Sequence, residues 1–145
     1  TMADVNIIYQ WQCDSRTRRF FHNPKPPELD PHIEWIKRRI DDHSCLFNLI
    51  IHGREPAGVL RLDWMGKGPE ASEAYIVSVL VAPDHYRQGL ASGSLKLARR
   101  MLPEAVFHAE VLAANEDSRQ LFESAGYRFD ENLGHYLSTP PAREL

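Results

Sequence analysis

Apolar and polar positions along the chain sort into short β-branched runs and longer stretches with helical spacing. Val5 to Ile8 is a compact apolar run and predicts a short strand. Asp14 to Phe21, with Arg16, Arg18 and Arg19, predicts a helix or helical turn. The prolines of Asn23-Pro24-Lys25-Pro26-Pro27 forbid a helix and mark a rigid loop. Asp30 then caps a helix with Pro31 at its first position. Ile33, Ile36, the stem of Lys37 and Ile40 form its inward stripe, with Trp35 to one side.

Cys45 to His52 predicts a strand, Gly53-Arg54-Glu55-Pro56 a turn, and Ala57 to Met65 a second strand with alternating faces. Ala74 to Ala82 is nearly all apolar and β-branched, the pattern of a central strand buried on both faces. Leu90 to Leu102 carries a helical apolar stripe that Pro103 terminates. Val106 to Leu112 predicts a strand. Glu116 to Ala125 predicts a helix started by Asn115 and stopped by Gly126. Tyr127 to Asp130 and His135 to Ser138 close the chain as short strands. The order is β-α-α-β-β-β-α-β-α-β-β. Hairpin-joined strands lead into a strand-helix-strand unit, so the fold class is α/β (α+β) with a mixed sheet.

Composition narrows the function more than the fold. A chain of 145 residues is one domain, here residues 2–145. Its 17 basic and 20 acidic side chains give a net charge of −3, which supplies no general attraction to nucleic acid. No apolar run nears the ~18 residues that span a bilayer, and Thr1 to Tyr9 lack the basic start of a secretory signal. Cys13 and Cys45 are too few for a disulfide framework, and no metal motif is present. A reduced, cytoplasmic protein with no nucleic-acid, membrane or metal partner is the expectation, with monomer or homodimer left open. Of the basic residues 13 are Arg and 4 Lys. Arg binds phosphate and carboxylate oxygens bidentately, so the bias suits anionic small ligands, although base composition of the genome explains it as well.

The segment Val77 to Ala91 carries candidate chemistry. A strand ends at Pro83, a short loop follows, and a helix starts at Gly89. The amides of the first helical turn and the positive end of the helix dipole face that loop, which suits a pyrophosphate. Gly89 allows close approach of the backbone, and Ala91 and Ser92 keep the turn narrow. No Gly-Lys-Ser/Thr follows, so this is not a Walker loop. Gly89 and Gly93 are in the wrong register for a dinucleotide fingerprint.

Tyr86-Arg87-Gln88-Gly89-Leu90-Ala91 resembles the acetyl-CoA loop of the GNAT N-acetyltransferases, Arg/Gln-x-x-Gly-x-Gly/Ala, departing from it at Tyr86. Downstream, Glu110 to Tyr127 is similar to that family's Val-x-x-x-Asn-x-x-Ser/Ala-x-x-Leu-Tyr-x-x-x-Gly-Phe, after one helix and one strand. The resemblance covers about Leu46 to Ser138. It implies the GNAT acyl-CoA N-acyltransferase fold, a mixed, mostly antiparallel central sheet flanked by helices, and acetyl-CoA as cofactor. By resemblance, Val79, Leu80 and Val81 would bond the pantetheine arm and polarise the thioester carbonyl. Arg87, Gln88, Gly89, Leu90, Ala91 and Ser92 would hold the pyrophosphate. Asn115 and Ser118 would meet the pantetheine end, with Phe122 beside the sulfur.

The reaction implied is direct attack of a neutral primary amine on the acetyl carbonyl. The amine arrives as an ammonium, so a base must take a proton. Glu110 is the first candidate and His32 the second, with His108 and His52 read as surface or edge histidines. Many relatives place a proton-donating Tyr where this chain has Phe122. Ser118, Tyr136 or a water would then protonate the leaving thiolate. Tyr75 and Ser78 are placed to face the cleft by alternation.

For the acceptor, Trp11 to Arg19, His32-Ile33-Glu34-Trp35 and Gly58 to Asp63 are similar to amino-sugar N-acetyltransferases acting on nucleotide-linked sugars, including those of pseudaminic acid biosynthesis. This implies a small-molecule amine acceptor met by Trp11, Arg16, His32, Trp35 and Arg61, with Arg18, Arg19 and Trp64 as further candidates. The same residues also read as a solvated helix face and core aromatics. A peptide or protein amine, or a non-catalytic acyl-CoA-binding module, are the alternative readings.

Overall fold

A computed structural model of the chain describes residues 2–14, 26–68 and 71–141. The first element is a helix, α1 (Met2–Cys13), where a strand was expected over Val5 to Ile8. Val5 and Ile8 are buried and Trp11 packs beside them, three residues apart each time, which is one helical face. Packing of that face against the next helix and the sheet outweighs the β-branched composition that suggested a strand. The helix expected over Asp14 to Phe21 lies, apart from Asp14, outside the described residues, as do Arg16, Arg18 and Arg19. Asp14 itself follows the end of α1.

Helix α2 (Leu29–Asp41) begins one residue before the expected cap. Asp30 and Pro31 therefore sit inside its first turn. There the missing proline N–H costs nothing and the carboxylate meets the positive end of the dipole. Ile36 is fully buried and Ile33 packs beside it. Trp35 packs against the same cluster, whereas Ile40 at the far end is half exposed.

Six strands form one sheet in the order β1-β2-β3-β4-β6-β5. They are β1 (Cys45–His52), β2 (Glu55–Lys67), β3 (Glu73–Val81), β4 (Val106–Ala109), β5 (Arg128–Asp130) and β6 (His135–Ser138). Only β3 and β4 run parallel. Helix α3 (Leu90–Met101) makes the crossover between them, and α4 (Glu116–Ser124) follows β4. Gly126, at φ +89°, turns the chain out of α4, and Tyr127 N–H closes onto Phe122 O at 2.9 Å.

Two apolar layers hold the helices to the sheet. On one face Leu60, Leu62, Val77, Phe107, Ala109 and Tyr136 pack with Leu95 and Ala98 of α3 and Phe122 of α4. On the other, Val59 packs with Val5, Ile8 and Ile36. Arg99 crosses the first layer over the Phe107 ring at 4.5 Å. It donates to Ala105 O and to the buried Ser138 Oγ, pinning the end of α3 to β6.

Two departures from expectation concern the middle of the sheet. β3 is half-buried over most of its length instead of buried on both faces. β4 ends at Ala109, three residues short of Leu112. Both have one cause, the parting of these two strands.

Candidate active site

β3 and β4 pair only where Ala74, Tyr75 and Ile76 meet Val106, Phe107 and His108. β3 then runs on to Val81 beside β2 alone. Ala82 N–H donates to Ala57 O at 2.7 Å, which fixes the phase of the β2–β3 ladder. Hydrogen-bonding direction alternates along an antiparallel strand. Ser78 and Leu80 therefore turn their backbone groups to β2, and Val79 and Val81 turn theirs to the edge β4 has left. Buried amides and carbonyls without a ladder are costly unless water or a ligand meets them. An extended chain bearing amides can complete that edge as a strand would. Leu80 spends its backbone on β2, and its side chain packs on the α1–α2 side. Gly58 makes the β2–β3 contact possible, since a Cβ there would lie 2.2 Å from Leu80 O.

Past Val81 the chain makes one 3₁₀ turn, Pro83–His85, and curls into α3. Arg87 at φ +63° and Gly89 at φ +73° are both left-handed. An Arg there is uncommon and costs energy that the loop must hold. Gly89 caps α3 without a side-chain hydrogen bond. Gly93 N–H is the first to bond back, to Gly89 O at 3.0 Å. The amides of Gly89, Leu90, Ala91 and Ser92 therefore have no intrahelical partner and open on the loop. Arg87 and Gln88 are exposed beside them. These residues fit a diphosphate: donors come from the backbone and the dipole, with one guanidinium nearby.

Asn115 Oδ1 accepts from Ser118 N–H at 3.1 Å, capping α4 and leaving the Asn115 amide protons for another partner. Ser118 is half-buried. Phe122 is a buried core residue, edge-on to Tyr127 at 5.0 Å and stacked near Tyr136 at 6.5 Å. The Tyr136 hydroxyl donates to Glu123 Oε1 at 2.8 Å, so its proton is committed there. Tyr75 and Ser78 are on opposite faces. Tyr75 packs against Phe107, and Ser78 Oγ accepts from Arg61 at 3.4 Å.

The α1–α2 face of the sheet assembles the acceptor candidates around one indole. His32 stacks on Trp35 with centroids 5.5 Å apart and meets Tyr9 at 5.7 Å. The guanidinium of Arg61 lies 5.1 Å from the Trp35 centroid and that of Arg39 5.4 Å. Asp63 ties them together, 2.9 Å from Arg61 Nε and 3.9 Å from Arg39. Burial first, then Asp63, push the nearby Cys45 thiol up to about 12. Arg39 is not among the residues expected at the acceptor, and Asp63 enters there only as the end of the Gly58 to Asp63 stretch. Their signal is three-dimensional, because Arg39 sits on a helix and Asp63 on a strand. Trp11 serves the core beneath, Trp64 bonds Glu73 at the exposed end of β2, and Arg16 lies outside the described residues. Glu110 is exposed, immediately beyond the end of β4. His52 is exposed at the end of β1, 6.1 Å from the His85 ring.

Among the described residues no three metal-ligating side chains converge, and no helix is long and apolar enough to cross a membrane. Residues 5–127 match the model of the acetyltransferase (GNAT) family. Among solved structures, the chain is similar to the aminoglycoside acetyltransferase AAC(6')-Ib in complex with coenzyme A and kanamycin. Identity is 16%, TM-score 0.77, and 96% of this chain and 91% of that one are covered. It is similar to RimL, a ribosomal alpha-N-protein acetyltransferase in complex with coenzyme A, at 15% identity, TM-score 0.78, and 97% and 90% coverage. It is also similar to the GNAT domain of S. lividans PAT, at 23% identity, TM-score 0.69, and 94% and 84% coverage. No curated protein sequence matches the chain.

Proposed function

The chain belongs to the acetyltransferase (GNAT) family of acetyl-CoA-dependent N-acetyltransferases, and on that premise we propose that its acceptor is the primary amine of an amino sugar, free or nucleotide-linked. The observation that carries the transferase reading is the parting of β3 from β4 after Ile76 and His108, beside a loop of unpaired amides.

Acetyl-CoA supplies an acyl group activated as a thioester. Val79 and Val81 offer the pantetheine arm the donors and acceptors of an open strand edge. Their amides, fixed in the sheet, hold a dipole toward developing negative charge without reorganising. Arg87 to Ser92 take the pyrophosphate, and Asn115 and Ser118 meet the far end of the arm. Phe122 has no proton to give, and the Tyr136 hydroxyl donates its hydrogen bond to Glu123. Ser118 or water remains to protonate the thiolate.

For the acceptor, the support is the Trp35 face with its two guanidiniums and the His32 stack. Trp35 holds the His32 imidazole and the two guanidiniums together, and with Asp63 they offer donors and acceptors to the hydroxyls and phosphate of a sugar. This favours a ring-shaped polar acceptor over an extended peptide. The neighbour solved with kanamycin shares the fold.

Release of free thiol from acetyl-CoA, followed with glucosamine, kanamycin, an amino-sugar nucleotide and a Ser-terminated peptide, tests this reading. Turnover highest with an amino sugar is expected. Preference for the peptide overturns the acceptor. Binding of acetyl-CoA with no amine accelerating thiol release leaves a binding module.

A further inference from the structure

His108 and His135 lie in a direct hydrogen bond, Nδ1 to Nε2, at 2.8 Å, with ring centroids 5.1 Å apart. Nothing in the family's sequence pattern brings them together, since they come from β4 and β6 and are 27 residues apart. Their position in the sheet is informative. His108 is on the last rung that β4 shares with β3, opposite Ile76. Phe107 and Ala109 on either side of it are buried in the α3–α4 layer. Alternation therefore presents His108 to the opposite face, the one that carries His32, Trp35, Arg61 and Ser78. His108 stands at the fork of the cleft, on the acceptor side.

We propose that His108 takes the proton from the acceptor ammonium, and that His135 positions its ring. The inference rests on the acetyltransferase reading above. A hydrogen bond between two neutral imidazoles uses one N–H and one lone pair. With His108 Nδ1–H donating to His135 Nε2, the other nitrogen of His108, Nε2, is a bare lone pair. The ammonium R–NH₃⁺ loses one proton to that nitrogen and becomes R–NH₂. Its lone pair forms the C–N bond as the C–S bond breaks with its electrons on sulfur. Of the two protons left on nitrogen, one stays in the amide and one matches what the thiolate needs. The proton on His108 passes to solvent, directly or through His135.

The surroundings fit this role. Across the sheet the pair is faced by Asp130, opposite His135 on β5, and by Arg128, opposite Leu137 on the same strand, and Glu110 lies two residues beyond His108. Burial, and then His135, lower the His108 pKa, against an opposing effect of Asp130, so the ring is neutral and able to accept at neutral pH. Glu110 is exposed, and His32 is stacked on Trp35 and tilted against Tyr9.

The test compares His108→Gln, His135→Gln and Glu110→Gln in kcat/KM against pH, using the best amine of the panel above. It is paired with an imidazole ¹⁵N titration of the protein without acceptor. Expected are a loss of about 10²-fold or more for His108→Gln, with the acid limb that tracks the His108 titration replaced by one that tracks the acceptor amine, and unchanged coenzyme A affinity. For His135→Gln the acid limb and the His108 titration both move to higher pH. Glu110→Gln, the competing base, keeps the acid limb that tracks the His108 titration. Loss of the His108 limb in Glu110→Gln, a limb at the wild-type pH in His108→Gln, or two rings that titrate independently overturns the proposal. A wild-type protein that acetylates no amine fails earlier, at the acetyltransferase reading. Transfer that is intact in wild type and in His108→Gln fails only here.

Discussion

Ile76 of β3 and His108 of β4 form the last rung at which the two central strands pair. Every functional assignment is measured from that rung. Beyond it lie the open backbone of Val79 and Val81, then the left-handed residues Arg87 and Gly89, then the amides of α3. The cleft is made by a strand that stops early. Where β4 leaves at Ala109, β3 continues for a length that only β2 supports.

Gly89 holds a left-handed conformation with open space where a Cβ would stand. Its replacement is therefore a test of backbone conformation and not of room. Gly89→Val should cost about 1–3 kcal/mol of local strain. Coenzyme A affinity by calorimetry should weaken about tenfold or more, which is about 1.4 kcal/mol. Gly93, inside α3 and equally uncrowded, is the control. Gly93→Ala should leave affinity unchanged and raise stability by about 0.5–1 kcal/mol.

Gly58 is the opposite case. Its backbone is ordinary, but an added Cβ meets Leu80 O at 2.2 Å and Val81 Cα at 3.1 Å. Neither is a flexible side chain, so the strands must move. Gly58→Ala should destabilise by about 1–3 kcal/mol. At about 2–4 °C per kcal/mol for a chain of this size, the loss is visible in a thermal melt. It should also weaken coenzyme A binding, because the displaced residues are those that edge the cleft. An unchanged melting temperature contradicts the packing.

Trp35 gathers His32, Arg39 and Arg61 on its faces. Trp35→Leu keeps an apolar plug for the α1–α2 layer while removing the ring on which His32, Arg39 and Arg61 pack. The KM for an amino-sugar acceptor should rise about tenfold, about 1.4 kcal/mol of binding. The KM for acetyl-CoA should stay within about twofold, a negligible energy on that scale. Equal effects on both substrates contradict an acceptor site at the indole.

Stability should also depend on pH through His108. Its pKa is held below the ordinary value of 6.5 in the folded protein, first by burial and then by His135. The unfolded chain then binds the proton more readily. Stability is unaffected well above the ordinary value and falls as pH drops through it. It levels off below the lowered folded value. Urea midpoints taken from about pH 8 to about pH 5 should show this slope, and His108→Gln should flatten it.

Local chemistry made much of this molecule legible. β1 and β6 have the expected ends, because a turn or a polar break bounds each apolar run. The loop before α3 was readable because a left-handed glycine and a helix start are local events. The failures came where partners at long range decide. Val5 to Ile8 is helical because α2 and β2 lie against it. Val111 and Leu112 beyond Glu110 extend the strand pattern of β4, but its partner strand has diverged. His108 read as an edge histidine because its partner is on β6 and leaves no mark near it in sequence. Arg39, and Asp63 as its partner, were passed over for the same reason.

Amide hydrogen exchange on β3 tests the central claim most directly. Coenzyme A at saturation should slow exchange at Val79 and Val81, whose N–H groups face the open edge. Leu80, already in the β2 ladder, should be unchanged. Coenzyme A that binds while Val79 and Val81 exchange as before would place it elsewhere, and the cleft between β3 and β4 would not be its seat.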